Sequence, residues 1–345
     1  MPDIKFGNYI PAPAFKLPTI LKSVQAAEKA GFDSIWIADH LAMLPVGYCP
    51  EVWSILGGLT LSTNSVMLGT GVTDPHRRHP ALLAQTLATL DQMSQGRMVL
   101  GIGPGEAMNL DPYGIPWDKP VARMVEVITI LRKLWAEQSV TFDGKFFRLK
   151  NAALFIDPLI RKKIPIYIAG NRPRTRQITG ELGDGWFPMC ESPNLYKKHA
   201  EEVAQSAQRA GRSPTDLDYA LMTFTAIADN IESALKRVEL TRMIFATDTH
   251  KLEEGYDLNL EEELNISQAI PSSDFVGKLQ NVAEKITDTM ITDFTVIGTV
   301  EDVIEKIDKF IKAGLTHLVV LNRGPEVMHV YKTYSEQIIP YFKER

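Results

Sequence analysis

Lys29-Ala30-Gly31-Phe32-Asp33-Ser34-Ile35-Trp36-Ile37 returns near the C-terminus as Lys312-Ala313-Gly314-Leu315-Thr316-His317-Leu318-Val319-Val320. In each copy a helical stretch stops at a glycine suited to the left-handed position after a helix C-cap, and an apolar run starts within three residues. Glu181-Leu182-Gly183-Asp184-Gly185-Trp186 is a weaker third copy. The repeated piece is the joint between the helix of one βα unit and the strand of the next.

Between these joints, short β-rich runs alternate with amphipathic helical stretches along the chain. The runs are Ile4–Asn8, Ser34–Ala38, Val66–Val72, Met98–Gly103, Ile166–Gly170, Gly185–Pro188, Ala220–Ala226 and His317–Asn322. Most are almost continuously apolar, as strands covered on both faces by helices must be. The helix before Gly314 carries its own start signal, Thr299 with Asp302 three residues on, followed by Val303, Ile304, Ile307, Phe310 and Ile311 at helical spacing. Eight strands with this echo predict an α/β fold, a (β/α)8 TIM barrel; an open, doubly wound sheet is the alternative. Two stretches interrupt the alternation. Residues 140–154 read as a short hairpin around Asp143-Gly144, and residues 247–292 read as a polar, then helical insertion before the last βα unit. Neither has the composition of a linker, so residues 1–345 are read as a single domain.

Composition narrows the function. The 345 residues carry 37 Lys+Arg against 42 Asp+Glu, a formal net charge of −5. No basic block could neutralise a phosphate backbone, so nucleic acid is not an expected partner. No apolar run approaches the ~20 residues of a membrane span, and the first residues lack a signal-peptide pattern. A cytoplasmic protein is the expectation. Two cysteines, Cys49 and Cys190, provide neither a disulfide framework nor a Cys-rich metal site. The seven histidines show no HExxH or comparable spacing, so no metal is expected. A GxSxG nucleophile elbow is absent as well.

In a barrel, reactive side chains come from the C-terminal ends of the strands. Asp39-His40 follows the second run and places an imidazole beside a carboxylate that could orient it. Glu106 sits in the glycine-rich turn Gly101-Ile102-Gly103-Pro104-Gly105-Glu106, where the backbone can approach a planar or phosphorylated ligand. It is a candidate acid, or alternatively a helix-terminal carboxylate. This turn lacks the third glycine of a dinucleotide fingerprint, which disfavours a nicotinamide dehydrogenase. Gly170-Asn171-Arg172 opens a helix carrying Arg174 and Arg176, an arrangement that can hold an anion such as phosphate or present a solvated basic face. Arg77-Arg78-His79 is a second basic cluster, either a ligand clamp or surface.

Along nearly its whole length the chain resembles the bacterial luciferase-like superfamily, in its deazaflavin (coenzyme F420)-dependent branch. The matching segments include Ala38-Asp39-His40, Gly69-Thr70-Gly71-Val72-Thr73-Asp74-Pro75, Gly101 to Glu106, Gly114-Ile115-Pro116-Trp117-Asp118-Lys119-Pro120-Val121, Gly183-Asp184-Gly185 and Gly298-Thr299-Val300-Glu301-Asp302-Val303. Within that branch the motifs resemble those of methylenetetrahydromethanopterin reductases and phthiodiolone ketoreductases. The resemblance implies hydride transfer between coenzyme F420 and a C=N or C=O carbon of a small-molecule substrate. It implies His40 and Glu106 as catalytic residues. Asp39, Gly71, Val72, Thr73, Gly103, Gly105, Asn109, Ala169, Gly170, Asn171 and Arg172 are implied as cofactor contacts, with a non-prolyl cis peptide at Gly71–Val72. Asn8 stands on the substrate side, where the pterin reductases have a carboxylate, and Glu106 replaces their common Asp. A homodimer or homotetramer is implied. An FMN-dependent monooxygenase and a non-catalytic flavin-binding barrel are the rival readings.

Overall fold

A computed structural model describes residues 4–10, 16–43, 49–159, 163–256, 264–268, 272–322 and 326–344. The strands in chain order are β1 (Lys5–Ile10), β2 (Ser34–Ile37), β3 (Met67–Thr70), β4 (Met98–Ile102), β5 (Val140–Asp143), β6 (Arg148–Ala152), β7 (Ile166–Ile168), β8 (Gly185–Trp186), β9 (Asp218–Ile227), β10 (Val296–Gly298) and β11 (His317–Leu321). Eight of them close a parallel barrel in the order β1-β2-β3-β4-β7-β8-β9-β11, with β11 returning to β1. The seam between β8 and β9 rests on two register pairs, Gly185 with Asp218 and Trp186 with Tyr219. Each of the eight apolar runs contributes one barrel strand.

The helix-to-strand joints form as the echo predicts. Gly31 and Gly314 have φ of +87° and +99°, and the N–H of the following residue reaches back to a carbonyl in the last helical turn. Gly183 departs from this pattern: its φ is −76°, so the weaker third copy is not a left-handed cap. Left-handed glycines also follow two other helices: Gly96, φ +84°, two residues before β4, and Gly211, φ +73°, where Arg212 N–H bonds Ala207 O at 2.9 Å. The hairpin forms from β5 and β6, but its loop spans residues 144–147. The Glu126 carboxylate holds that loop by accepting the N–H groups of Lys145, Phe146 and Phe147. One strand, β10, was not among the expected runs. It is three residues long and lies parallel to the outer half of β9, pairing with Thr225–Ile227; a run that short carries no readable period.

Side chains alternate between two apolar zones. Phe6, Ile10, Ile35, Ile37, Leu318 and Val320 pack outward against the helices. Tyr9, Trp36, Tyr167, Phe187 and Val319 fill the barrel interior, where Trp36 meets Phe187 at 4.4 Å and Tyr167 at 5.3 Å between ring centroids. The strands β2 and β7 are not neighbours, so these rings meet across the lumen.

At the N-terminal end of the barrel the interior is polar. Ser34 and His317, which occupy equivalent places in the two copies of the echo, are joined by a 2.8 Å hydrogen bond. They pass over Gly7, where a Cβ would stand 2.3 Å from Ser34 Oγ and 2.9 Å from His317 Nε2, so only glycine allows the contact. Trp36 Nε1 donates to Ser34 Oγ at 2.8 Å, and His317 Nδ1 lies 3.2 Å from Asp218 Oδ2. Asp218 also accepts from Lys5 Nζ, the Tyr167 hydroxyl and the Thr316 hydroxyl. Burial by itself would raise the Asp218 carboxyl, but His317, then Lys5 and Thr316, hold it well below the usual carboxylate range. Ser34, His317 and Asp218 have the connectivity of a hydrolytic triad, but Ser34 and His317 are fully buried, at the end of the barrel opposite the strand C-termini. Their role is structural.

Because the native carboxyl is held below its unfolded value near 4, the stabilisation it brings is complete above that pH and is lost as the pH falls. Asp218→Asn is expected to lower unfolding free energy by about 3 kcal/mol at pH 7, since Lys5 loses its counter-charge and the His317, Tyr167 and Thr316 donors lose a charged acceptor. Urea midpoints at pH 7 and pH 3 check this: the gap between wild type and variant should narrow at the lower pH, below the unfolded carboxyl value.

Candidate active site

The C-terminal ends of β2, β3, β4 and β7 surround one mouth. Asp39 and His40 follow β2, Gly71 to Asp74 follow β3, Gly103 to Asn109 follow β4, and Ala169 to Arg172 follow β7. The Gly71–Val72 peptide is cis. Small residues make the floor of this mouth. A Cβ on Gly71 would meet the Tyr9 ring at 2.8 Å, and one on Gly103 would meet Val72 Cγ2 at 3.0 Å and the Ala169 Cβ at 3.4 Å. Gly105 has φ +85°, and a Cβ there would lie 3.0 Å from the Asp74 Cβ.

His40 and Glu106 come together on the rim, with His40 Nδ1 3.5 Å from Glu106 Oε2. Both side chains are partly exposed, 17% and 27%. Between them lies the buried Asn109, whose Nδ2 is 3.1 Å from His40 Nδ1 and 3.0 Å from Glu106 Oε2. The other end of that carboxamide accepts the N–H groups of Leu41 and Ala42, each at 2.8 Å.

Asp39 was expected to orient His40, and the structure turns it elsewhere. Its carboxylate accepts from the Thr73 hydroxyl at 2.6 Å and pairs with Arg77 at 3.0 Å and Arg78 at 3.2 Å. Arg77 also pairs with Asp74 and donates to the Asp39 carbonyl at 2.6 Å. Burial would lower the Arg77 guanidinium, but the two carboxylates more than offset it and raise it above its ordinary value. Arg78 continues to Glu51 and lies over the Trp53 ring, and the His79 ring accepts from Ala81 N–H at the start of the helix Pro80–Met93. The basic cluster is therefore neither a free clamp nor loose surface; it braces the Asp39–His40 segment.

The loop after β7 also differs from expectation. Arg176 is 2% exposed and is turned inward to Glu202 at 2.7 Å and the Asn171 carbonyl at 3.0 Å. Arg174 is exposed and bonds Gln177, while Arg172 pairs with Asp248 at 2.8 Å. Asn171 Oδ1 accepts from Met189 N–H and from Lys251 Nζ at 3.0 Å. Lys251 belongs to the insertion, on the helix Thr249–Gly255, and reaches Glu191 at 3.3 Å. Glu191 and His199 are fully buried, 3.1 Å apart, and His199 continues to Glu254 at 3.1 Å. Burial would raise Glu191, yet Lys251 and His199 pull it below the ordinary carboxylate range. Burial pushes the neighbouring Cys190 thiol up to about 12, so it stays protonated and unreactive. No sequence motif marks Lys251 or Glu191, because their meeting depends on how the insertion packs against the barrel.

Asn8 was placed on the substrate side, and the structure corrects this. It is buried on the outward face of β1, in register with Ile35 and Val320, beside the Tyr331 hydroxyl. Tyr9, one residue on, is the β1 side chain that faces the lumen. Among the described residues no group of three or more His, Cys, Asp or Glu side chains is placed to hold a metal ion, and no helix is long and apolar enough to cross a membrane.

The molecule is a closed (β/α)8 barrel whose strand C-termini bring an imidazole and a carboxylate together on one rim. Residues 4–317 match the family model described as luciferase-like monooxygenase, and the chain belongs to that family. It is 33% identical over 344 residues to a 5,10-methylenetetrahydromethanopterin reductase from Archaeoglobus fulgidus, covering 99% of this chain and 100% of that protein. An F420-dependent glucose-6-phosphate dehydrogenase from Microbacterium testaceum is 28% identical over 351 residues, covering 99% and 98%. The solved coenzyme F420-dependent tetrahydromethanopterin reductase from Methanopyrus kandleri superposes with a TM-score of 0.85 at 25% identity, covering 99% and 100%.

Arg77→Met leaves Asp39 and Asp74 buried without their shared counter-charge. A loss of about 3 kcal/mol in unfolding free energy is expected, against less than about 0.5 kcal/mol for exposed Arg174→Met, both read from urea midpoints.

Proposed function

We propose that the chain is a coenzyme F420-dependent oxidoreductase that moves a hydride between the deazaflavin and a C=N or C=O carbon of a small-molecule substrate. The observation that carries this reading is the His40–Asn109–Glu106 cluster standing over a floor of small residues. Gly71 and Gly103 leave no room for a Cβ against Tyr9, Val72 and Ala169, so this part of the mouth is lined by small groups that suit a flat ring system. The backbone of Gly170 and Asn171 and the start of the helix Pro173–Leu182 suit a phosphate, as helix N-termini do. The side chains of Asp39, Thr73 and Asn171 would support this site from behind. The named relatives support the cofactor choice, since they are F420-dependent or act on a pterin.

A bound deazaflavin would supply a carbon that carries hydride. The chain's own contribution is the accompanying proton and the placement of the acceptor. Reducing a C=O or C=N bond requires a proton at oxygen or nitrogen as hydride arrives at carbon, and oxidation reverses both transfers. Glu106 holds that proton on its carboxyl oxygen, and the His40 ring assists by donating a hydrogen bond to the same heteroatom. Both groups are partly exposed, so a substrate can reach them from the open side of the mouth.

Titration with coenzyme F420 and with FMN tests the cofactor: tight F420 binding with hydride transfer to a carbonyl or imine panel is expected. Tight FMN binding with oxygen consumption would replace this reading by a monooxygenase, and cofactor binding without turnover would favour a non-catalytic barrel. Glu106→Gln is expected to keep F420 affinity within about 3-fold while kcat falls by about 100-fold or more. Unchanged kcat would remove Glu106 from the role of acid.

A further inference from the structure

The Asn109 carboxamide has four hydrogen-bonding valences, two acceptor sites on Oδ1 and two N–H groups on Nδ2. All four are used inside the protein. Oδ1 faces two backbone N–H groups, those of Leu41 and Ala42, at 2.8 Å each. Two donors fix that atom as the oxygen and settle which end of the amide is which. The opposite end is then the NH2, and it points to His40 Nδ1 at 3.1 Å and Glu106 Oε2 at 3.0 Å. A donor facing Nδ1 requires Nδ1 to be the acceptor, so the neutral ring carries its proton on Nε2.

We propose that Asn109 is a positioning residue that sets the His40 tautomer, presenting Nε2–H to the substrate and keeping Nδ1 from sharing a proton with Glu106. The inference rests on the reading of His40 and Glu106 as the proton-handling pair. The pair needs such a separator. At 3.5 Å, His40 Nδ1 and Glu106 Oε2 are close enough for the ring to turn a proton on Nδ1 toward the carboxylate. The two groups would then act as one internal ion pair and neither would face a substrate. One amide hydrogen on each of them blocks that arrangement. It satisfies the Glu106 oxygen as an acceptor and disfavours protonation of Nδ1, since an Nδ1–H would meet an N–H head-on. The same carboxamide anchors the backbone just after His40, so ring orientation and tautomer are set together. Asn109 is 3% exposed, which keeps water from replacing its bonds.

The test uses the protein without cofactor. The side-chain nitrogens of 15N-histidine-labelled protein are observed by long-range 1H–15N correlation, with His40 assigned by its loss in His40→Gln. Wild type is expected to show the Nε2–H tautomer for His40. Asn109→Asp keeps shape and the anchoring of Leu41 and Ala42, but presents a second acceptor where the NH2 stood, and is expected to shift His40 to Nδ1–H. Asn109→Leu removes both functions and serves as the control for packing alone, with circular dichroism reporting whether each variant is folded. With coenzyme F420 and an accepted substrate, Asn109→Asp is expected to lose about 100-fold or more in kcat while F420 affinity changes less than about 3-fold. An Nδ1–H tautomer in wild type, or the same tautomer in wild type and Asn109→Asp, overturns the proposal. So does a variant that loses F420 affinity with kcat retained, which would make Asn109 a cofactor contact. Failure of the wild-type protein to use coenzyme F420 would overturn the proposed function and leave the tautomer result standing.

Discussion

The Asp218 carboxylate holds the barrel closed. It stands on β9 at the two-pair seam with β8, and it accepts from Lys5 on β1, Tyr167 on β7, His317 on β11 and Thr316 just before it. A parallel barrel has no turn connecting neighbouring strands to set their register, so register must come from side chains. This one group joins strands on both sides of the seam at one height. Every strand end at the opposite mouth, and therefore every residue of the site, is positioned from that level. The cost of burying the charge is offset by four donors, and removing any large part of that set would leave an uncompensated ion in a dry interior.

The mouth repeats the same principle with different chemistry. Asp39 is committed to Thr73, Arg77 and Arg78, Glu191 to Lys251 and His199, and Arg176 to Glu202. Each is an internal pairing of opposite charges, and together they brace the loops that follow β2, β3, β7 and β8. Against this braced background His40 and Glu106 are partly exposed and share a neutral amide instead of a strong counter-ion. Charged groups that hold shape and the two groups proposed to handle protons are thus separated by burial and by the kind of partner each has. Among the described residues the insertion contributes Lys251, Asp248 and Glu254 to the first set, and its short helical turn Ile266–Gln268 packs against Ala107–Asn109 beside Glu106.

Much of the architecture was legible along the chain. The eight apolar runs, the Gly31 and Gly314 caps and the Thr299–Asp302 capping box all formed, because helix caps and buried strands are specified by neighbouring residues. The rim location of Asp39, His40 and Glu106 followed from strand ends alone. The failures share a cause. Asn8 was assigned to the wrong face, because one step along a strand reverses the side and only pairing with Ile35 and Val320 settles it. Arg176 looked like part of a basic helix end, but its partner Glu202 lies on another helix. Gly183 shared the letters of the echo without its backbone conformation.

The class of fold, and which residues stand at the strand C-termini, could be read from the chain, since hydrophobic period and turn residues act over a few positions. Which polar groups face one another was set by long-range packing. Ser34 meets His317 across 283 positions of chain, Asn109 meets His40 across 69, and Lys251 meets Asn171 across 80. A hydrogen bond depends on direction and on tenths of an ångström, and both are set by strand register and packing that no local pattern encodes.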